Sequence, residues 1–141
     1  MSQEITRVVD AEAVVAAFIR AMNTWEENAW RSMRAASETW TPESYWPGIV
    51  ASLKLVFDEF CTDRERPNGR LGSYQHPPEY NPATEHVRDS QSLGRKARVD
   101  TERRAILGGG TLRYTLVRRG DRWLIDNVKR RNGDGWHREI L

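Results

Sequence analysis

Two runs of alternating residues near the C-terminus, 106–117 and 122–131, constrain the fold most. They meet at Gly120-Asp121, and glycine at the first loop position suits a two-residue type II′ hairpin turn. This turn predicts one bulky face that packs against the rest of the protein, formed by the pairs Arg118/Trp123, Leu116/Ile125, Tyr114/Asn127 and Leu112/Lys129. It predicts a wetter second face, formed by Val117/Leu124, Thr115/Asp126, Arg113/Val128 and Thr111/Arg130.

The first 60 residues have the pattern of amphipathic helices. Asp10 is the predicted N-cap of a helix with an apolar stripe at Val14, Val15, Phe18, Ile19 and Met22. Thr24 and Glu27 form a capping box, which is a signal for the start of a second helix. It therefore stays open whether this region is one bent helix or two. Pro47-Gly48 is predicted to break or restart the next helix. A further stripe follows at Ile49, Val50, Leu53, Val56, Phe57 and Phe60.

The order of these patterns predicts the fold class. We expect one domain over 1–141, with a helical half at about 8–61, a long loop at 62–85 and a sheet at 86–141. The loop contains four prolines and two glycines, and its two tyrosines and His-Pro-Pro step favour a stiff, ordered segment. Within the polar strands at 86–104, Ala97, Val99 and Thr101 share a face, but weak alternation leaves the register open. Helices followed by antiparallel strands indicate an α+β fold with the sheet curled around the helices.

Composition narrows the class of protein further. Hydrophobic residues make up 38% and charged residues 30% of the chain, which is typical of a globular protein. No apolar run approaches the roughly 18 residues of a membrane span. The N-terminus lacks a signal-peptide pattern, so we expect a cytoplasmic protein. The single cysteine, Cys61, is interpreted as a structural thiol at a helix end.

Catalytic and cofactor motifs are weak in this sequence. Asp126 could serve as a general base, but its predicted place beside Thr115 and Arg113 favours a structural ion pair. His76, His86 and His137 are far apart and lack metal-ligand spacing, so we expect no metal. The glycine run at 107–111 lies between strands and is interpreted as a turn, and no cofactor is expected.

Charge is distributed unevenly along the chain. Residues 1–63 carry five Lys/Arg and ten Asp/Glu, a net of −5, and residues 64–141 carry seventeen and ten, a net of +7. Basic strands can bind nucleic acid when aromatic side chains interleave on the same face. The predicted register places Tyr114 and Trp123 on the opposite face from Arg113, so we expect no nucleic acid partner.

Four stretches carry a family resemblance over nearly the whole chain. They are "VVAAFIRAMNTWE", "VFDEFCT", "GSYQHPPEYNPATEHV" and the C-terminal "LRYTLVRRGDRWLIDNVKRRNGDGWHREIL". The Pro-Pro-Glu-Tyr-x-Pro step at 77–82 is the most specific piece. The sequence resembles the immunity proteins with the nuclear-transport-factor-2-like fold, found in bacterial polymorphic toxin systems. The resemblance implies a cone-shaped α+β domain that binds and blocks a cognate toxin with no catalytic residues.

The resemblance does not say which residues contact the toxin. Aromatic and arginine side chains are enriched in protein interfaces, so we predict a recognition surface on the hairpin and the long loop. Its candidate residues are Tyr74, Tyr80, Arg113, Arg119, Arg122, Arg130, Arg131 and Trp136. Two alternatives remain open on the same scaffold, namely a small hydrolase, dehydratase or isomerase, and a small-ligand-binding or dimerisation module. A homodimer is also possible.

Overall fold

Two helices are followed by five antiparallel strands that neighbour one another in chain order. The computed structural model describes residues 7–35, 42–64, 77–104, 109–133 and 135–138. The elements are α1 (Val9–Ala35), α2 (Pro42–Phe60), β1 (Glu85–Leu93), β2 (Lys96–Arg103), β3 (Gly110–Arg119), β4 (Arg122–Asn132) and β5 (Gly135–Arg138). The sheet order is β1-β2-β3-β4-β5. The predicted α+β class, with N-terminal helices packed on an antiparallel sheet, is confirmed.

The first helix is continuous through Thr24, which decides the alternative that the capping box left open. Met22 and Trp25 on either side of that point are both buried, and their packing outweighs the local capping signal. The side-chain amide of Asn23 donates to the carbonyl oxygen of Tyr80, at 2.8 Å, instead of ending the helix. Asp10, the predicted N-cap, lies inside the first turn, because α1 begins at Val9.

The second helix runs through Pro47, where a break was predicted. Proline removes one hydrogen bond close to the start of this helix. Burial of Ile49 and Leu53 just beyond it keeps the helical stripe against α1. The indole nitrogen of Trp25 donates to the carbonyl oxygen of Ile49, at 3.0 Å, and ties the two helices together at this turn.

The predicted hairpin register is confirmed near the turn and wrong beyond it. Gly120 has a φ of +64°, as the first position of a type II′ turn requires. Leu116 pairs with Ile125 as predicted, but an irregularity then shifts the register by one residue. The pairs beyond it are Thr115/Asn127, Tyr114/Val128, Arg113/Lys129 and Leu112/Arg130.

Asp126 is the extra residue, and the contacts around it explain the shift. Its carboxylate accepts a hydrogen bond from the hydroxyl of Thr62 at 2.9 Å and pairs with Arg64 at 2.9 Å. The shift brings Val128 into the core, where it is fully buried. Asp126 therefore makes a structural ion pair, as predicted, although its partner is Arg64 and not Arg113.

The core lies between the helices and the inner face of the sheet. Phe18 of α1 contacts the rings of Tyr80, Phe60, Tyr114 and Phe57, with centroids 5.6, 6.0, 6.4 and 6.5 Å away. Ala97, Val99 and Thr101 share the buried face of β2, as predicted. Cys61 is buried, where a structural thiol was expected. No helix in the described part of the chain is long and apolar enough to cross a membrane.

Candidate functional site

Four polar side chains meet on the inner face of the sheet, where an enzyme of this architecture would need its reactive groups. Glu85 accepts hydrogen bonds from the hydroxyls of Thr101 and Tyr114, each at 2.7 Å, and from Nε of Arg103 at 3.0 Å. Nη2 of Arg103 lies 2.8 Å from the same carboxylate without hydrogen-bond geometry, so this contact is ionic. All four side chains are buried, and Glu85 is satisfied by its neighbours.

The backbone of residues 79–80 is bound by α1 beside this polar cluster. Glu26 is fully buried, and its carboxylate accepts the backbone N–H groups of Glu79 at 3.1 Å and Tyr80 at 3.2 Å. Asn23 binds the carbonyl oxygen of Tyr80 from the same helix. Charged hydrogen bonds of this kind are about twice as strong as neutral ones. The Pro-Pro-Glu-Tyr segment is therefore held as an internal part of the fold.

The side chains of this segment fill the space next to the polar cluster. Tyr80 is 2% exposed, with its ring against Phe18 and the guanidinium carbon of Arg103 5.0 Å from its centroid. Glu79 pairs with Arg103 at 3.2 Å and lies 3.7 Å from Arg130. The interior thus contains acid and base groups, but they bind one another and the chain's own loop.

The surroundings of this cluster raise the pKa values of both Tyr114 and Arg103. Burial raises the pKa of Tyr114 well above its ordinary value, and the negative charge of Glu85 raises it further. Burial by itself lowers the pKa of Arg103, but Glu85, Tyr114, Tyr80 and Glu79 together outweigh this electrostatically and raise the pKa overall. Both groups therefore keep their protons, so neither is suited to accept one at neutral pH.

Tyr114 gives a testable pH dependence. A folded-state pKa above the unfolded value contributes stability that is complete below about pH 10 and is lost as the pH rises further. We expect the free energy of unfolding to fall above pH 10 by about 1.4 kcal/mol per pH unit from this group. Denaturant unfolding at several alkaline pH values, compared with Tyr114→Phe, isolates that slope. Ionisation of Tyr114 in the folded protein near pH 10, seen as full tyrosinate absorbance, would contradict it.

The outer face of the sheet carries a ladder of charged side chains. Arg88 pairs with Glu102 at 2.8 Å, and Arg98 bonds to Gln91 at 3.0 Å. Arg98 also contacts Asp100 at 2.6 Å. The ladder links β1 to β2 and continues through Asp100 into β3, so this face is polar and ordered.

Trp136 lies in a cluster of basic side chains at the other end of this ladder. The guanidinium carbons of Arg113 and Arg131 are 4.3 and 5.9 Å from its ring centroid, within the range of cation–π contacts. Asp100 holds Arg113 through Nε at 2.8 Å and Nη2 at 3.0 Å. These hydrogen bonds raise the pKa of Arg113. A two-bonded guanidinium is fixed in its plane, so Arg113 positions the indole. We call Arg113, Arg131 and Trp136 the arginine–tryptophan cluster.

Three of the eight predicted contact residues form this cluster, and two others, Tyr80 and Arg130, are turned away from it to the inner side. Tyr80 is buried, which corrects its place in the predicted recognition surface. Arg130 stands on the inner side opposite Leu112, and its Nη1 donates to the carbonyl oxygen of Gly109 at 2.9 Å. The one-residue shift in β4 explains this change for Arg130, which was predicted on the wetter face.

The remaining three predicted residues have different settings. Arg119 and Arg122 stand opposite each other beside the hairpin turn and are exposed. Nη2 of Arg122 donates to the carbonyl oxygen of Glu59 at 2.8 Å, so it joins the hairpin to α2. Tyr74 lies outside the described residues.

The predicted recognition surface did not include Asp100 or Lys129. Alternation in β2 placed Asp100 on the face opposite Val99, and the structure confirms this direction. Lys129 was predicted on the core side, and only the shift at Asp126 turns it outward. The residues that contact Asp126 come from the segment just after α2, so the local pattern contained no signal for the shift.

A groove of about 250 Å³ opens between the hairpin turn and the helices. Its lining is Asp10, Val14, Glu59, Phe60, Asp121, Arg122 and Trp123. Within the described ranges, no group of three metal-ligating side chains comes together. His86 is exposed and lies 3.1 Å from the carbonyl oxygen of Ala83, while His76 lies outside the described residues.

Two helices packed on one antiparallel sheet define an α+β protein, and comparison with known proteins specifies its fold family. A family model described as NTF2 fold immunity protein matches residues 10–139. Immunity protein RhsIA of Dickeya dadantii (strain 3937) is 32% identical over 128 residues, which cover 89% of this chain and 90% of the relative. No solved structure matches the chain significantly. The chain belongs to the NTF2 fold immunity protein family, and its function is the neutralisation of a toxin.

Proposed function

We propose that this protein binds a cognate toxin one-to-one through the outer face of its sheet, and that it blocks the toxin without a chemical step. The arginine–tryptophan cluster is the centre of the proposed contact surface. Tryptophan and arginine are the side chains that most often dominate binding energy in protein interfaces. Trp136 is partly exposed and already oriented by Arg113, so a partner gains its contact at a small cost in side-chain entropy.

The interior supports a role other than catalysis. A general base needs access to a substrate, whereas Glu85 is buried and bound by Thr101, Arg103 and Tyr114. Tyr80 fills the neighbouring space. The alternatives of a hydrolase, dehydratase or isomerase, and of a ligand-binding module, each need an open interior cavity. This occupied interior is the observation that favours binding over chemistry.

Nucleic acid fits the outer face of the sheet less well than a protein partner does. Trp136 lies beside arginines, which is the combination that binds single strands. However, Arg113 already covers the ring, and Asp100 and Glu102 place carboxylates among the basic groups. A nucleic acid strand that runs across the sheet would meet these carboxylates on β2, which repel its phosphates, whereas a protein partner can restrict its contact to β4 and β5. We therefore propose a protein partner that the chain meets in the cytoplasm, without a membrane or nucleic acid.

The direct experiment combines complex formation with protection. The protein is mixed with the toxin domain encoded beside its gene, and the mixture is analysed by size-exclusion chromatography with light scattering. We expect a one-to-one complex, and rescue of growth when the two are co-expressed. Growth rescue without a complex, or accumulation of a modified toxin, would favour catalysis. Absence of both the complex and rescue would contradict the proposal.

A further inference from the structure

Two basic residues stand in one row across β3 and β4, because Arg113 pairs directly with Lys129. Residues directly opposite each other on antiparallel strands are close neighbours, and like charges in this position destabilise a sheet. A carboxylate at position 129 would attract Arg113 and stabilise the pair, yet lysine stands there.

In the described part of the chain, the positive charge on the outer side of β4 has no counter-charge. Asp100 neutralises Arg113. Among the described residues, no carboxylate pairs with Lys129 or Arg131, and both are exposed. The guanidinium carbon of Arg131 lies 5.9 Å from the ring centroid of Trp136. The outer surface of β4 and β5 therefore presents positive charge beside a partly exposed indole.

A local arrangement that lowers stability without a structural gain is typical of a functional site. We propose that Lys129 and Arg131 recognise an acidic surface of the toxin, with carboxylates approaching the basic row while an apolar group packs on Trp136. This inference rests on the proposed function and adds the chemistry of the partner. A second copy of this chain does not fit, because a two-fold contact through this face would oppose basic groups to basic groups.

Lys129→Glu distinguishes an effect on folding from an effect on recognition. We expect this substitution to stabilise the fold and to weaken toxin binding. Glutamate opposite Arg113 turns a repulsive row into an attractive one, so we expect the Tm to rise by about 2 °C. The same charge reversal faces the acidic surface of the toxin, so we expect Kd to increase at least about tenfold, mainly through slower association at low salt. Thermal unfolding and binding kinetics with an inactivated toxin domain measure both.

Arg20→Glu is the matched control, since Arg20 is exposed on α1, away from this face. It makes the same charge change, and we expect it to leave Kd within about twofold. If the wild-type complex forms and Lys129→Glu binds as tightly as Arg20→Glu, the acidic-surface inference is wrong while the proposed function stands. A lower Tm for Lys129→Glu would also overturn the inference, because Lys129 would then have a compensating partner. Absence of any wild-type complex would remove both proposals together.

Discussion

Replacing Trp136 by alanine is expected to weaken toxin binding by about thirtyfold or more, which corresponds to at least about 2 kcal/mol. The change removes the aromatic surface that Arg113 and Arg131 hold in place. Both arginines then lose their cation–π contact, and the partner loses its apolar anchor. We expect the loss mainly as faster dissociation, because buried contacts at an interface centre control residence time. Binding kinetics with an inactivated toxin domain measure it.

Trp30→Ala is the matched control for this prediction. Trp30 of α1 also lies under an arginine, since the guanidinium carbon of Arg34 is 5.7 Å from its ring centroid. The control removes the same side chain from the same kind of pair on the helical side of the protein. We expect Kd to change by less than about threefold. Equal losses for Trp30→Ala and Trp136→Ala would mean that the outer face has no special role.

Replacing Glu85 by alanine is expected to lower the free energy of unfolding by about 3–5 kcal/mol. The substitution leaves the buried guanidinium of Arg103 without its main counter-charge, and it leaves the hydroxyls of Thr101 and Tyr114 without their acceptor. A buried group that loses its partner keeps the full cost of its desolvation. Urea unfolding followed by tryptophan fluorescence measures the change.

Two comparisons make this stability prediction specific. Glu102→Ala removes an ion pair from the exposed outer face, and we expect a loss below about 1 kcal/mol. The double variant Glu85→Met with Arg103→Met removes both charges, so we expect it to be more stable than Glu85→Ala. A loss for Glu85→Ala no larger than that for Glu102→Ala would show that the polar cluster is not a structural element.

Much of the fold follows from local patterns in the sequence. The stripe at Val15, Phe18 and Met22 predicted which side of α1 is buried. The glycine at position 120 predicted the hairpin turn and the pairing next to it. These predictions succeed because a helical stripe and a two-residue turn are set by neighbours in sequence.

The errors arise where distant parts of the chain act on one another. The shift at Asp126 depends on Thr62 and Arg64, which lie in the segment just after α2. Tyr80 looked like an exposed loop aromatic, but Glu26 of α1 binds its backbone and draws the segment inward. No periodicity or motif in the sequence indicates either contact.

The proposed site was predictable only in part, for the same reason. Arg113, Arg131 and Trp136 were named from residue type, because arginine and tryptophan favour interfaces. Their association depends on the pairing of Arg131 with Trp136 across β4 and β5, together with the shifted register between β3 and β4. Lys129 was not included in the predicted recognition surface, because the predicted register turned it toward the core.

Titration of toxin activity with increasing amounts of this protein tests the central proposal most directly. A stoichiometric blocker predicts that activity falls linearly and ends at one molecule of protein per molecule of toxin, with full activity regained when the complex is dissociated. Complete loss of toxin activity at a small fraction of one equivalent, or a loss that persists after separation, would contradict the account.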